Sequence, residues 1–203
     1  FAGANKGLAR KAFLAGSNQL TAVKNWLTHA EVIESSRGNT ELTELGRLMA
    51  AQDERAERAW TWWLFHIHLC ANRDSSPYSD FFVVTDSESQ TWRTSDQIVE
   101  TLAAFATDGG TGNQATTIAT YFEGVENAFR PGRPLYGLRL VERRDVAGEN
   151  VKKRLRRALT KPADIVVAYC VTIFQKAFFP DQVTIEARVL LEKGLARALG
   201  MRD

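Results

Sequence analysis

The stretch "AGSNQLTAVKNWL", residues 15–27, decides how the fold is read. Gly16 breaks the helical spacing of residues 7–13, and Ser17 is of the type that caps a helix N-terminus. Helical periodicity then runs to about His29. Leu20, Val23 and Leu27 fall on one side of the wheel. Asn18, Ala22, Asn25 and His29 fall opposite, with Thr21 and Lys24 on a flank. Two extended pieces follow, residues 31–34 and 40–43, around a Ser-Ser-Arg-Gly-Asn turn, and they predict a small β-wing. Helix, tight turn, helix and hairpin is the order of a winged helix-turn-helix unit.

A helix that enters the major groove touches base edges with its N-terminal residues. Asn and Gln suit adenine, and Lys suits guanine or phosphate. Asn18, Gln19, Thr21, Lys24 and Asn25 supply those types and are the first candidate DNA contacts. The bland alternative stays open at this point, because polar residues belong on any exposed helix face.

Farther along, "LTELGRLM" (residues 42–49) resumes helical spacing. Residues 53–71, "DERAERAWTWWLFHIHLCA", open with charge and become apolar almost all round. No single stripe holds Trp60, Trp62, Trp63, Phe65 and Ile67, so this helix is expected at the centre of the core. Asp53, Glu54 and Glu57 are read as its first turn, where carboxylates favour the helix dipole. Residues 72–80 read as a loop, and residues 81–84 as a strand or a helix end.

Ser95 caps a helix to about Thr107, and Asn113 caps another whose apolar side carries Ile118, Tyr121, Phe122, Val125 and Phe129. Asn113, Thr116 and Thr120 are the DNA-facing candidates of this helix, weakened by Glu123 and Glu126, which phosphates would repel. A basic extended segment follows, so the order of the first unit repeats. "VKKRLRRAL" (residues 151–159) reads as a basic helix, and two more helices fit residues 163–179 and 182–199. The expected fold is mainly α, with two winged helix-turn-helix-like units and small β-wings around a helical core. Its segments are 1–72, a winged-helix unit with the Trp-rich helix; 73–145, a second such unit; and 146–203, the basic helix and a C-terminal helical segment.

The 203 residues are 44% hydrophobic and 25% charged, an ordinary globular composition with enough apolar material for a core. No apolar run or signal-peptide pattern points to a membrane or to export, so a cytoplasmic protein is expected. Cys70 and Cys170 lie in apolar runs without a CxxC spacing and are expected as buried free thiols. The chain opens on Phe1 rather than Met and is read as a fragment or as lacking its true start.

Net charge is only +2, yet residues 130–161 hold eleven Lys and Arg against three acids. Such a local excess is the footprint of a polyanion partner. Arg133, Arg143, Arg144, Lys152, Lys153, Arg154, Arg156 and Arg157 are the candidate phosphate contacts. Charge reversal at Lys153, Arg154, Arg156 and Arg157 is expected to weaken DNA binding and flatten its salt dependence.

Catalytic chemistry is not legible. His66 and His68 are two apart and leave a helix on nearly opposite faces, a poor metal pair. They are expected as hydrogen-bonded or interfacial side chains. No Ser-His-Asp pattern and no converging carboxylates can be named, so no catalytic residue and no metal ligand is assigned.

Three segments carry a family resemblance: residues 16–26, Leu42 to Gly46, and residues 60–69. A Gly-x-Asn turn into a helix ending in Trp, a Leu-Thr-x-Leu-Gly stretch and an apolar helix rich in Leu and His make the chain resemble the SspB-like proteins of bacterial DNA phosphorothioation systems (uncharacterised-domain family 4007). The likeness is close over residues 12–72, looser over 92–129 and vague beyond. It implies a DNA-acting protein of a modification and phage-defence system, one that nicks duplex DNA for sulfur incorporation. Other phosphorothioation proteins would be its partners, and a divalent metal such as Mg²⁺ its cofactor if it nicks. Family members open Phe-Ala-Gly-His-Glu and continue into an aromatic-rich helix, whereas Phe1-Ala2-Gly3 here meets Ala4-Asn5. Either this member lacks that segment or residues are missing between Gly3 and Ala4. The alternatives are a non-catalytic winged-helix regulator or recruiting module, and a scaffold whose tryptophans at 60–63 form a homodimer interface.

Overall fold

The expected helix at Ser17 forms: α1 spans Ser17–His29. The computed structural model describes residues 17–36, 39–72, 76–84, 91–106, 114–146 and 152–202, so expectations for residues 7–13, for the 108–112 turn and for Asn113 fall outside it. Within α1, Val23 is a correction: it is 56% exposed, and the helix seats Trp26 and Leu27 against the core instead. The end of α1 is a Schellman turn, with Glu31 N–H on the Thr28 carbonyl at 3.0 Å and Val32 N–H on the Leu27 carbonyl at 2.9 Å. Glu31 takes the left-handed position of that turn, at φ 56°.

Strands β1 (Ile33–Ser36) and β2 (Asn39–Leu42) pair antiparallel, Ile33 opposite Leu42, as the expected hairpin. Thr43 then caps α2 (Glu44–Gln52) by accepting the Gly46 N–H at 3.0 Å. The following helix starts later than expected: α3 is Ala59–Ala71. Asp53 is therefore not in its first turn. It closes α2, and its carboxylate reaches forward to accept the N–H groups of Glu57 (3.1 Å) and Arg58 (2.9 Å) and the hydroxyl of Thr61.

Helix α3 is the core helix that its composition predicts, with Thr61 and everything from Phe65 to Ala71 buried. Around it lie α4 (Ser76–Ser79), a π-helical turn over Asp80–Val84, and helix α7 (Asp164–Phe178). The segment 72–80 is thus helical in its second half rather than a loop. The reason is Tyr78, whose ring is buried against Trp26, Phe82 and Phe129. His66 ties these parts together, with Nδ1 at 2.6 Å from the Tyr78 hydroxyl and Nε2 at 2.7 Å from the Ala198 carbonyl. A carbonyl only accepts, so Nε2 carries the proton and Nδ1 accepts from Tyr78. Burial holds this imidazole neutral, with its pKa down at about 4.

Downstream come β3 (Arg93–Thr94), α5 (Ser95–Ala106), α6 (Gln114–Ala128), a 3-10 turn over Pro134–Leu138, β4 (Val141–Val146) and β5 (Lys152–Arg157). The second sheet has the order β3-β5-β4, all antiparallel. The "basic helix" is a correction, because residues 152–157 are a strand. Val151, Leu155 and Leu159 are four apart, which fits a helical stripe and, since four is even, one face of a strand as well. Six register pairs with β4 supply the hydrogen bonds that choose the strand, and they join residues on both sides of position 146.

The C-terminal region also departs from one long helix. It is α8 (Ala187–Glu192) and α9 (Leu195–Ala198), hinged at Gly194 with φ 84°. Val183, Thr184 and Ile185 are β-branched and stay outside the helix. Cys70 and Cys170 are free and buried, as expected.

Candidate nucleic-acid interface

The β3-β5-β4 sheet sorts its basic residues by face. Inward, Leu155 is buried, and Arg157 is 8% exposed with its guanidinium donating to the Phe82 carbonyl in the π-helical turn. Arg157 is thereby removed from the phosphate-contact set, since its charge is committed to the interior. Arg143, opposite Leu155, also points inward and meets Glu126 of α6 at 2.7 Å. Outward, the guanidinium groups of Arg144 and Arg156 both lie over the indole of Trp92, at 4.6 and 4.5 Å from the ring centroid. Arg156 is further held by Glu142 across the strand pair at 2.7 Å. Two cations held against one indole ring make a basic surface that is ordered before any ligand arrives.

Trp92 was not singled out from the sequence; its one signal is a lone indole in the polar run "TWRTSDQ". Glu126 departs from its expected place on an exposed helix face. It does not face a DNA-binding surface, because its side chain is 8% exposed and takes Ser95 Oγ at 2.9 Å along with Arg143 and Arg130. Burial pushes this carboxyl up, but the bonds from Ser95 and Arg143 outweigh burial and hold it below the ordinary glutamate value. The cluster locks the start of α5, the end of α6 and strand β4 into one geometry.

A prediction arises here. Glu126→Ala should cost about 2 kcal/mol by leaving Arg143 without its carboxylate. The wild-type contribution is fully present above the unfolded glutamate pKa and is lost as pH falls through the lowered folded value. Urea unfolding near neutrality and in acid checks both points: the gap between variant and wild type should close in acid.

Among the other expected contacts, Thr21, Lys24 and Asn25 are exposed on α1, and Thr116 and Thr120 are exposed on α6. Arg133 is exposed beside the 3-10 turn. Asn18 and Gln19 lie in the first turn of α1, and positions 152, 153 and 154 are in β5. The tryptophans at 60, 62 and 63 are half-buried against the core, and Trp62 donates its indole N–H to the Ala56 carbonyl at 2.8 Å.

The sequence profile of one family matches residues 5–199, nearly the whole chain. The chain belongs to the DUF4007 family. Its description is "Protein of unknown function (DUF4007)". No curated protein and no solved structure matches this DUF4007 chain. Among the described residues no helix is long and apolar enough to cross a membrane. Among them, too, no three His, Cys, Asp or Glu side chains converge as metal ligands would.

Proposed function

We propose that this DUF4007 chain is the DNA-binding component of a bacterial DNA phosphorothioation and defence system, and that it nicks duplex DNA for sulfur incorporation. The observation that carries DNA binding is the outward sheet face, where Arg144 and Arg156 are held over Trp92. The element order supports a winged helix for this half of the chain: a buried helical segment, β3, helices α5 and α6, then the β4–β5 hairpin as the wing. In that arrangement α6 presents Thr116 and Thr120 to the groove, and the sheet contacts phosphates. Helix α1 with its hairpin offers a second, smaller unit. The link to phosphorothioation and to nicking comes from the resemblance of residues 12–72. Other proteins of that system are the partners it implies.

The test uses the pure chain with linear duplex and with supercoiled plasmid, in Mg²⁺ or Mn²⁺. A gel shift that weakens steeply with salt and conversion of plasmid to open circles are the expected results. Failure to shift any duplex with the fold intact overturns the DNA reading. Binding without relaxation instead favours a regulator or recruiting module.

A further inference from the structure

The Schellman turn after α1 holds a residue that its backbone does not favour. Its left-handed position suits glycine, which has no Cβ to crowd the carbonyl. Here it is Glu31, at φ 56°. The carboxylate is put to use: Oε2 lies 3.1 Å from Nδ1 of His68 on α3. On the other side of that ring, Nε2 lies 2.8 Å from the hydroxyl of Tyr169 on α7. A carboxylate only accepts, so Nδ1 carries the imidazole proton and the Nε2 lone pair accepts from Tyr169. This is the tautomer of a general base poised on a hydroxyl.

His66 and Tyr78 make a similar bond two residues away and serve as the contrast. Tyr78 is 2% exposed and His66 0%, so that pair is sealed inside the core. Around His68 the arrangement opens outward. The Glu31 side chain is 60% exposed, His68 is 6% exposed, and Tyr169 is half-buried. Burial, with Lys176 adding to it, keeps the His68 pKa below its usual value despite Glu31. Burial and the Glu31 charge raise the Tyr169 hydroxyl to about 12, so it attacks only if a base takes its proton.

We propose that Glu31, His68 and Tyr169 form a nucleophile relay in which the Tyr169 hydroxyl attacks a DNA phosphodiester. Oη forms a bond to phosphorus as the bond to one deoxyribose oxygen breaks. The Tyr169 proton passes to His68 Nε2 and then to the departing oxygen, leaving a nicked strand linked to the protein as a tyrosyl phosphodiester. No oxidant or reductant is consumed. Tyr169 is the nucleophile, His68 the general base, and Glu31 a positioning residue that fixes the tautomer. The substrate rests on the DNA reading above; the relay rests on the three side chains.

The experiment incubates the full chain with fluorescent duplex, stops it in SDS and looks for label travelling with the protein. Wild type should carry label. Tyr169→Phe should lose it with the gel shift unchanged. Glu31→Gly relieves the backbone, so its melting temperature should hold or rise while adduct formation slows at least about tenfold. A merely structural Glu31 would give the reverse, a lower melting temperature and an unchanged adduct rate. Wild type that shifts duplex without forming an adduct, or a Tyr169→Phe chain that still forms one, overturns the relay. Absence of any shift overturns the DNA reading and the phosphodiester substrate with it. In that case a tyrosine-directed sulfonyl fluoride still decides the relay. Tyr169 should react roughly tenfold faster than the exposed Tyr136, and Glu31→Gly should erase the difference. Equal rates in wild type overturn it.

Discussion

Gly46→Ala is expected to destabilise the protein by about 3 kcal/mol, although alanine inside a helix normally stabilises it. A Cβ built on Gly46 would sit 2.0 Å from the Val32 carbonyl oxygen and 3.1 Å from a Leu42 methyl. The first neighbour is backbone and cannot swing aside. That same carbonyl already accepts the Thr43 N–H at 3.1 Å and the Thr43 hydroxyl at 3.2 Å, so α2 docks its first turn directly onto the chain leaving α1. Moving α2 away to admit a methyl group would break the cap and the docking together. Gly137→Ala is the matched control, since nothing lies within 4 Å of a Cβ there. Its effect should stay within about 0.5 kcal/mol. Urea unfolding of both variants measures the difference, and equal midpoints would refute the close approach at Gly46.

Arg144→Gln with Arg156→Gln should weaken duplex binding on the order of a hundredfold and lower the salt slope by about 2, because two phosphate contacts are lost. These two guanidinium groups are chosen because they lie outward over Trp92, and Gln avoids setting a carboxylate opposite Glu142. The set of four expected from the sequence needs revision. Reversing Arg157 would put a negative charge against the Phe82 carbonyl in a buried position, so it would report on folding rather than on DNA. The measurement is binding to one duplex over a range of salt, with thermal unfolding as the check on fold. An unchanged affinity and slope in a folded double variant would remove this face from the interface.

Much of the fold is legible because it is local. Thr43 begins α2 through a short-range cap, and the hairpin of residues 33–42 is set by a turn between extended pieces. The Trp-rich helix announces its burial by lacking any polar stripe. Where two periods fit the same few residues, local pattern has no power. Residues 151–159 satisfy a helical stripe and a strand alternation alike, and only pairing with β4 separates them. Val23 failed for a related reason: the apolar side of a wheel does not say which edge meets a neighbour, and Trp26 outweighs it in area.

The basic sheet face was legible as composition and illegible as geometry. A run of eleven cations is visible in any reading of residues 130–161. That Arg157 and Arg143 turn inward, that Arg144 and Arg156 turn outward, and that Trp92 comes from far upstream to lie beneath them are facts of sheet register. Glu126 looked repulsive to DNA because its partners, Ser95 and Arg143, stand 31 and 17 residues away.

By itself the sequence determined helices α1, α2, α5, α6 and α7, the first hairpin, the buried thiols, the core helix and the concentration of positive charge. Each of these follows from residue types within a few turns of one another. Not every cap did: Thr94, not the expected Ser95, accepts the Gln97 N–H at the start of α5, while Ser95 turns to Glu126. Only the tertiary structure decided which cations face solvent, why Gly46 is glycine, and that Glu31, His68 and Tyr169 meet. Their positions are 37 and 101 residues apart along the chain. Contacts at such separations are set by how helices pack, and no local spacing in the sequence encodes them.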